Sequence, residues 1–195
     1  MSAAAPQPFA VPGPRIAVVG VTGSGKTTTA ARLAAVMAVP HIELDALHWL
    51  PGWKQRELEP FRALVAQAVA APAWVTDGNY KKVRDLIWER AATLVWLDYP
   101  LPVILRQLTQ RTLKRMRQQE LLWGTNRENW RDAFFSRESL FLWALQSYPK
   151  FRKEYPDLFH DPRYAHLQVI RFTRPRQTTQ WLDWLARQDI LPRSG

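Results

Sequence analysis

Along this chain, short apolar runs alternate with longer stretches in which apolar residues return at every third or fourth position. The first run, Arg15–Gly20 (RIAVVG), is β-branched and stops at glycine, which predicts a buried strand. From Lys26 to Met37, Ala and Leu recur at helical spacing. The pattern next predicts a strand over 41–44 that delivers Asp45 at its end. After it come a helix over 57–71 stopped by Pro72 and a strand over 74–76 leading into Asp77-Gly78-Asn79-Tyr80. A short helix over 83–91, a strand over 93–98 closed by Pro100 and Pro102, and a basic helix over 103–119 follow. A helix over 126–146 carrying Trp130, Phe134, Phe135, Phe141 and Trp143, a strand over 166–172 and a helix over 178–186 complete the series. Strands alternating with helices predict an α/β sandwich of three layers around a five-stranded, mostly parallel sheet. One domain is expected over 15–195, behind a flexible Ala/Pro leader over 1–14, with a helical excursion near 111–155.

Between the first strand and the first helix lies Gly20-Val21-Thr22-Gly23-Ser24-Gly25-Lys26-Thr27, followed by Thr28. It matches G-x-x-x-x-G-K-[ST] at every fixed position, with a strand before it and a helix after it, as a phosphate-binding loop requires. Glycines let the backbone turn tightly and aim N–H groups at phosphate oxygens, and the helix start adds its unpaired amides and dipole. Lys26 is expected to reach the β and γ phosphates, and Thr27 to offer its hydroxyl to Mg²⁺. The loop says that a nucleoside triphosphate binds; it does not say what happens to it.

In a parallel sheet, ligands sit outside the carboxyl ends of the strands. Asp45, Asp77 and Asp98 fall at such ends. Asp98 is expected to hold Mg²⁺ or orient Thr27, and Asp45 to face a hydroxyl that receives phosphate. Asp77, Gly78, Asn79 and Tyr80, with Arg84, are expected on the acceptor side. Each aspartate also has a purely local reading, as a turn or cap residue.

Charge changes the picture next. The formal net charge is +10 over 195 residues, and residues 101–155 hold most of the excess. Arg111 with Lys114, Arg111 with Arg115, and Lys114 with Arg117 stand three or four apart on one predicted helix, where like charges repel unless a polyanion arrives between them. That cluster fits a lid over a phosphorylated ligand, a nucleic-acid backbone, or a solvated face. The chain has no cysteine, so disulfides and thiolate metal sites are excluded. No signal peptide or membrane-spanning stretch is expected, and the predicted location is the cytoplasm.

Taken as an ordered set, GVTGSGKTT at 20–28, IELDALHWLPGW at 42–53, WVTDGNY at 74–80, LIWERAATLVWLDYP at 86–100 and GTNRENW at 124–130 resemble the adenylate kinase/shikimate kinase group of P-loop kinases. The resemblance is strongest to the bacterial adenylate kinase-like, topology modulation protein-like members. It implies a P-loop NTPase fold with an arginine-rich helical lid, ATP and Mg²⁺ bound through Lys26 and Thr27, and Asp45 facing the acceptor. It further implies Arg111 and Arg115 at the base of the lid, Arg127 farther out, and Arg174 beside the adenine. The segment that grips AMP in adenylate kinases is not recognisable between 54 and 73, and the glycine pair that grips shikimate is replaced by Asp77-Gly78.

The expected function is ATP-dependent phosphoryl transfer to a small acceptor, a nucleotide, nucleoside or other hydroxylated metabolite, by a monomer or homodimer. The alternatives are a nucleotide-dependent nucleic-acid-binding protein and a regulatory ATPase.

Overall fold

The computed structural model describes residues 9–118, 121–122, 126–127 and 140–188. Its centre is a sheet of five parallel strands: β1 (Arg15–Gly20), β2 (His41–Glu43), then β5 (Trp74–Asp77), β6 (Thr93–Leu97) and β9 (Gln168–Phe172). Their spatial order is β2-β5-β1-β6-β9, which puts β1 in the middle. Two short antiparallel ladders lie outside the sheet. One joins β3 (Trp49–Leu50) to β4 (Lys54–Gln55), and the other joins β7 (Leu121–Leu122) to β8 (Asn126–Arg127).

Central position explains the composition of β1. Ile16 and Val18 are fully buried and Ala17 and Val19 almost so, because helices cover both faces of the strand. On one face lie α1 (Lys26–Met37) and α7 (Pro175–Leu185), the last helix described. Helix α1 ends with Ala38 in the left-handed region, where the N–H of Val39 returns to Ala34. The opposite face carries α4 (Arg84–Trp88) and α6 (Leu140–Phe159), whose aromatic side chains interlock. Tyr155 meets Trp88 and Trp96 edge-on, with ring centres 5.8 and 5.7 Å apart. Buried indoles keep a partner for their N–H: Trp74 donates to Val69 O and Trp181 to Ala10 O.

The remaining helices are α2 (Leu44–His48), α3 (Leu58–Ala68) and α5 (Leu101–Gln118). Helices α2 and α3 pack together beyond the β2 edge of the sheet. No helix among the described residues is long and apolar enough to cross a membrane.

Three expectations need correction. Asp45 does not end a strand: β2 stops at Glu43, and Asp45 lies in the first turn of α2. The helix placed over 57–71 is shorter, Leu58–Ala68. The helix placed over 126–146 is not there as drawn, because Asn126–Arg127 pairs as a strand and the described helix is α6. That helix continues through Pro149 and Pro156, although each removes a backbone N–H and crowds the preceding turn. Trp130, Phe134 and Phe135 lie outside the described residues.

Candidate active site

At the carboxyl end of β1 the chain turns through the glycine-rich loop into α1. The helix begins at Gly25, which is left-handed at φ 83°; no side chain caps its first turn and no acidic residue stands there. Its first amides therefore face outward without a protein carboxylate, an arrangement suited to an anion. Gly23 has φ 82°, and a Cβ there would stand 3.0 Å from Leu108 Cβ and 3.1 Å from Ile104 O. Only glycine lets the loop lie directly against α5. The Lys26 ammonium folds back to donate to Val21 O at 3.3 Å. Burial pushes its pKa down and Arg111 adds to the drop, while Asp45 and Asp77 pull the other way. That balance brings Lys26, Arg111, Asp45 and Asp77 within electrostatic reach of one another.

Thr27, one residue on, donates its hydroxyl to Asp77 Oδ2 at 2.6 Å. The other oxygen of this buried carboxylate, Oδ1, lies 2.8 Å from His41 Nε2. The sequence reading gave the orienting role to Asp98. In the structure Asp98 is turned to the opposite face of the sheet, where it pairs with Arg152 of α6 and Arg171 of β9. Strand periodicity explains this. Side chains alternate along a strand, and Asp98 follows Trp96, which packs on Tyr155 and Phe159 of α6. Asp77 instead shares the α1 face with Thr27. His41 was not singled out in sequence; its placement at the start of β2, next to β5, is what brings it to Asp77.

Beyond the β5 end, Gly78 adopts φ 135° against Leu44, whose Cβ would lie 3.0 Å from a glycine Cβ replacement. Tyr80 then donates to Asp45 Oδ1 at 2.5 Å. Burial, and next the charge of Asp45, push the Tyr80 phenol far above its ordinary range, so it stays protonated as a donor. His48 completes this corner, with its ring centre 4.7 Å from that of Tyr80 and 4.8 Å from that of Phe61. Burial lowers the His48 pKa, Asp45 opposes the drop, and Lys82 and Arg56 reinforce it.

Two residues expected on the acceptor side are engaged elsewhere. The Asn79 amide is turned to the peptide of Gly20, which donates to Oδ1 at 3.3 Å and accepts from Nδ2 at 2.5 Å. Arg84 pairs with Glu154 at 3.1 Å and lies over the Trp88 ring, 5.0 Å from its centre.

No protein-family model and no curated protein sequence matches the chain. Solved structures do. A shikimate kinase from Bacteroides thetaiotaomicron is similar over 88% of this chain and 95% of its own, at 17% identity and a TM-score of 0.50. A gluconokinase from Sinorhizobium meliloti 1021 is similar over 88% of this chain and 93% of its own, at 20% identity and a TM-score of 0.49. The fold is that of the P-loop NTPases, shared with that shikimate kinase.

Within this fold the remaining predicted residues spread widely. Arg111 is half-buried on α5, near Lys26. Arg115 lies on the same helix and Arg127 on β8, but their side chains fall outside the described residues. Arg174 is exposed just ahead of α7, and its N–H donates to Gln177 Oε1 at 3.0 Å. Several basic residues of the cationic surplus are occupied in ion pairs: Arg152 with Asp98, and Lys81 and Arg84 with Glu154.

Proposed function

We propose that this protein transfers the γ-phosphoryl group of ATP to a small hydroxyl- or phosphate-bearing acceptor held between α2 and the turn after β5. The observation that carries the reading is the convergence, at one end of the sheet, of an uncapped helix start, Lys26, the Thr27–Asp77 pair and the Asp45–Tyr80 pair. Phosphoryl transfer needs little covalent help from a protein; it needs the phosphates positioned, their charge offset, and the attacking oxygen aligned.

The loop amides and Lys26 supply the positioning. On binding, the ammonium exchanges its weak contact with Val21 O for phosphate oxygens, whose negative charge offsets the burial that depresses its pKa. Arg111 places a second cation near the same point and offsets charge on the transferring group. Asp45 accepts a hydrogen bond from Tyr80 through Oδ1, leaving Oδ2 to orient an acceptor hydroxyl and take its proton. Gly78 lets Leu44 and the start of α2 approach the turn closely, and so sets the distance between Asp45 and Tyr80.

Mg²⁺ fits the residues present. Thr27 and Asp77 are hard oxygen donors joined by one hydrogen bond, while the described residues hold no cluster of three or more acidic or histidine side chains for an all-protein cage. Thr27 would hold the ion, Asp77 would orient the hydroxyl or a water of its shell, and phosphate oxygens would complete it. When bound, the ion supplies charge neutralisation between the β and γ phosphates. His41 steadies the far oxygen of Asp77.

The test is a screen with γ-labelled ATP and Mg²⁺ against nucleosides, nucleotides, sugars and other hydroxylated metabolites. Label appearing in an acceptor of one class, and lost on Asp45→Asn, is expected. ATP turnover that no acceptor class stimulates would defeat the proposal.

A further inference from the structure

Strand β5 ends too soon to support the phosphate loop. The parallel register places Val18 opposite Asp77, so Gly20, two positions along, falls level with Asn79. By then the backbone has left the sheet, turned away at Gly78 with φ 135°. The N–H and C=O of Gly20 both point into the position β5 has vacated. Buried backbone groups left this way carry a desolvation penalty.

The side chain of Asn79 fills the gap. Its amide accepts from Gly20 N at 3.3 Å and donates to Gly20 O at 2.5 Å, replacing the peptide a longer strand would have provided. This works in one orientation only. Turned over, the amide would set N–H against N–H and oxygen against oxygen. Gly20 thus sets the orientation, and the hydroxyl of Tyr155 of α6 adds a third bond that braces it, donating to Asn79 Oδ1 at 3.1 Å. Tyr155 is 1% exposed, and its ring is wedged among Trp88, Trp96, Phe151 and Phe159. Burial raises its pKa, so the phenol is a proton donor throughout the physiological range.

We propose that Tyr155 and Asn79 are positioning residues for nucleotide binding: the tyrosine braces the Asn79 amide through Oδ1, the amide holds the backbone of Gly20, and the seating of α6 is thereby transmitted to the first residue of the phosphate loop. Neither residue touches a phosphate. The inference rests on the reading that this loop binds nucleotide, and it adds a structural input to that site from the far side of the sheet.

Tyr155→Phe keeps the ring and removes only the hydroxyl, and Tyr99→Phe is its matched control. Tyr99 is also buried, and its hydroxyl bonds Thr178 at 2.6 Å, away from the loop. Titration of the full chain with magnesium–ADP, alongside thermal midpoints without ligand, reads both. The expected result is a dissociation constant raised about fivefold by Tyr155→Phe, the equivalent of ~1 kcal/mol, and unchanged by Tyr99→Phe at a similar loss of midpoint. Asn79→Ala should weaken binding at least as much, and adding Tyr155→Phe to it should change affinity by less than about twofold, because the hydroxyl acts through the amide. Wild-type affinity in Tyr155→Phe, or full additivity in the double variant, would overturn the relay alone. A wild-type protein that binds no nucleotide would overturn the proposed function with it.

Discussion

The hydroxyl of Thr27 donates to the carboxylate of Asp77 across 2.6 Å, joining the first turn of α1 to the last residue of β5. That single contact separates two aspartates that look equivalent as sequence. Asp77→Asn keeps the shape of the side chain and removes its charge. Nucleotide affinity measured with Mg²⁺ should fall by about tenfold or more, the range typical of groups that orient a metal ligand. In EDTA the same variant should bind nearly as wild type. Equal losses with and without the metal would place Asp77 in the loop's architecture instead.

Asp98 has the opposite profile. Its side chain is 2% exposed, whereas those of Arg152 and Arg171 are 45% and 48% exposed. Removing the carboxylate lets both arginines turn to water, so Asp98→Ala should cost about 1–3 kcal/mol in urea unfolding. Removing both arginines instead strands a buried charge, and the double Arg152→Ala/Arg171→Ala variant should cost about 3–5 kcal/mol. Finding the aspartate variant to be the less stable of the two would contradict this account.

Lys26 sits under opposing demands. Its folded pKa is depressed chiefly by burial, so the folded state holds the ammonium form less well than the unfolded chain does. Lys26→Met should raise the thermal midpoint of the ligand-free protein while abolishing the further rise that magnesium–ATP produces in the wild type. Such a trade of stability against function is common where a site holds an unneutralised charge. A lower ligand-free midpoint would show that the contact with Val21 O outweighs burial.

His48 makes a prediction about acid. Burial holds its folded pKa below the ordinary histidine value near 6.5. The unfolded chain therefore takes up the proton first. Its contribution to stability is complete above about pH 6.5 and is lost as the pH falls through the folded pKa. Replacing it by phenylalanine, which keeps the ring packing with Phe61 and Tyr80, should flatten the decline of the unfolding free energy as the pH falls below about 6.5. An unchanged slope would assign that acid sensitivity to other groups.

The sheet was legible in the sequence because its signal is local: an apolar β-branched run, a turn residue, then helical spacing. The phosphate loop was legible for the same reason, since one short segment carries strand end, glycines, lysine and hydroxyl together. What could not be read was which face of the sheet a carboxylate joins. Asp77 and Asp98 both close apolar runs, and only the pairing of β5 with β2 and β1 turns the first toward Thr27. Asn79 was misjudged for a related reason. Its partner is a peptide 59 positions away in the chain, and no composition or period reports a strand that stops short. Helix α6 was misplaced because its continuity rests on packing that is not local: Phe159 packs on Trp88 and Trp96, and the helix runs on through Pro149 and Pro156.

Those two prolines have a mechanical consequence. Arg152, Glu154 and Tyr155, which fasten α6 to Asp98, to Lys81 and Arg84, and to Asn79, all lie between Pro149 and Pro156. Each proline deprives the helix of a rung, so bending is least costly at the two ends of the fastened stretch. The helix is thus a jointed beam with its middle bolted down.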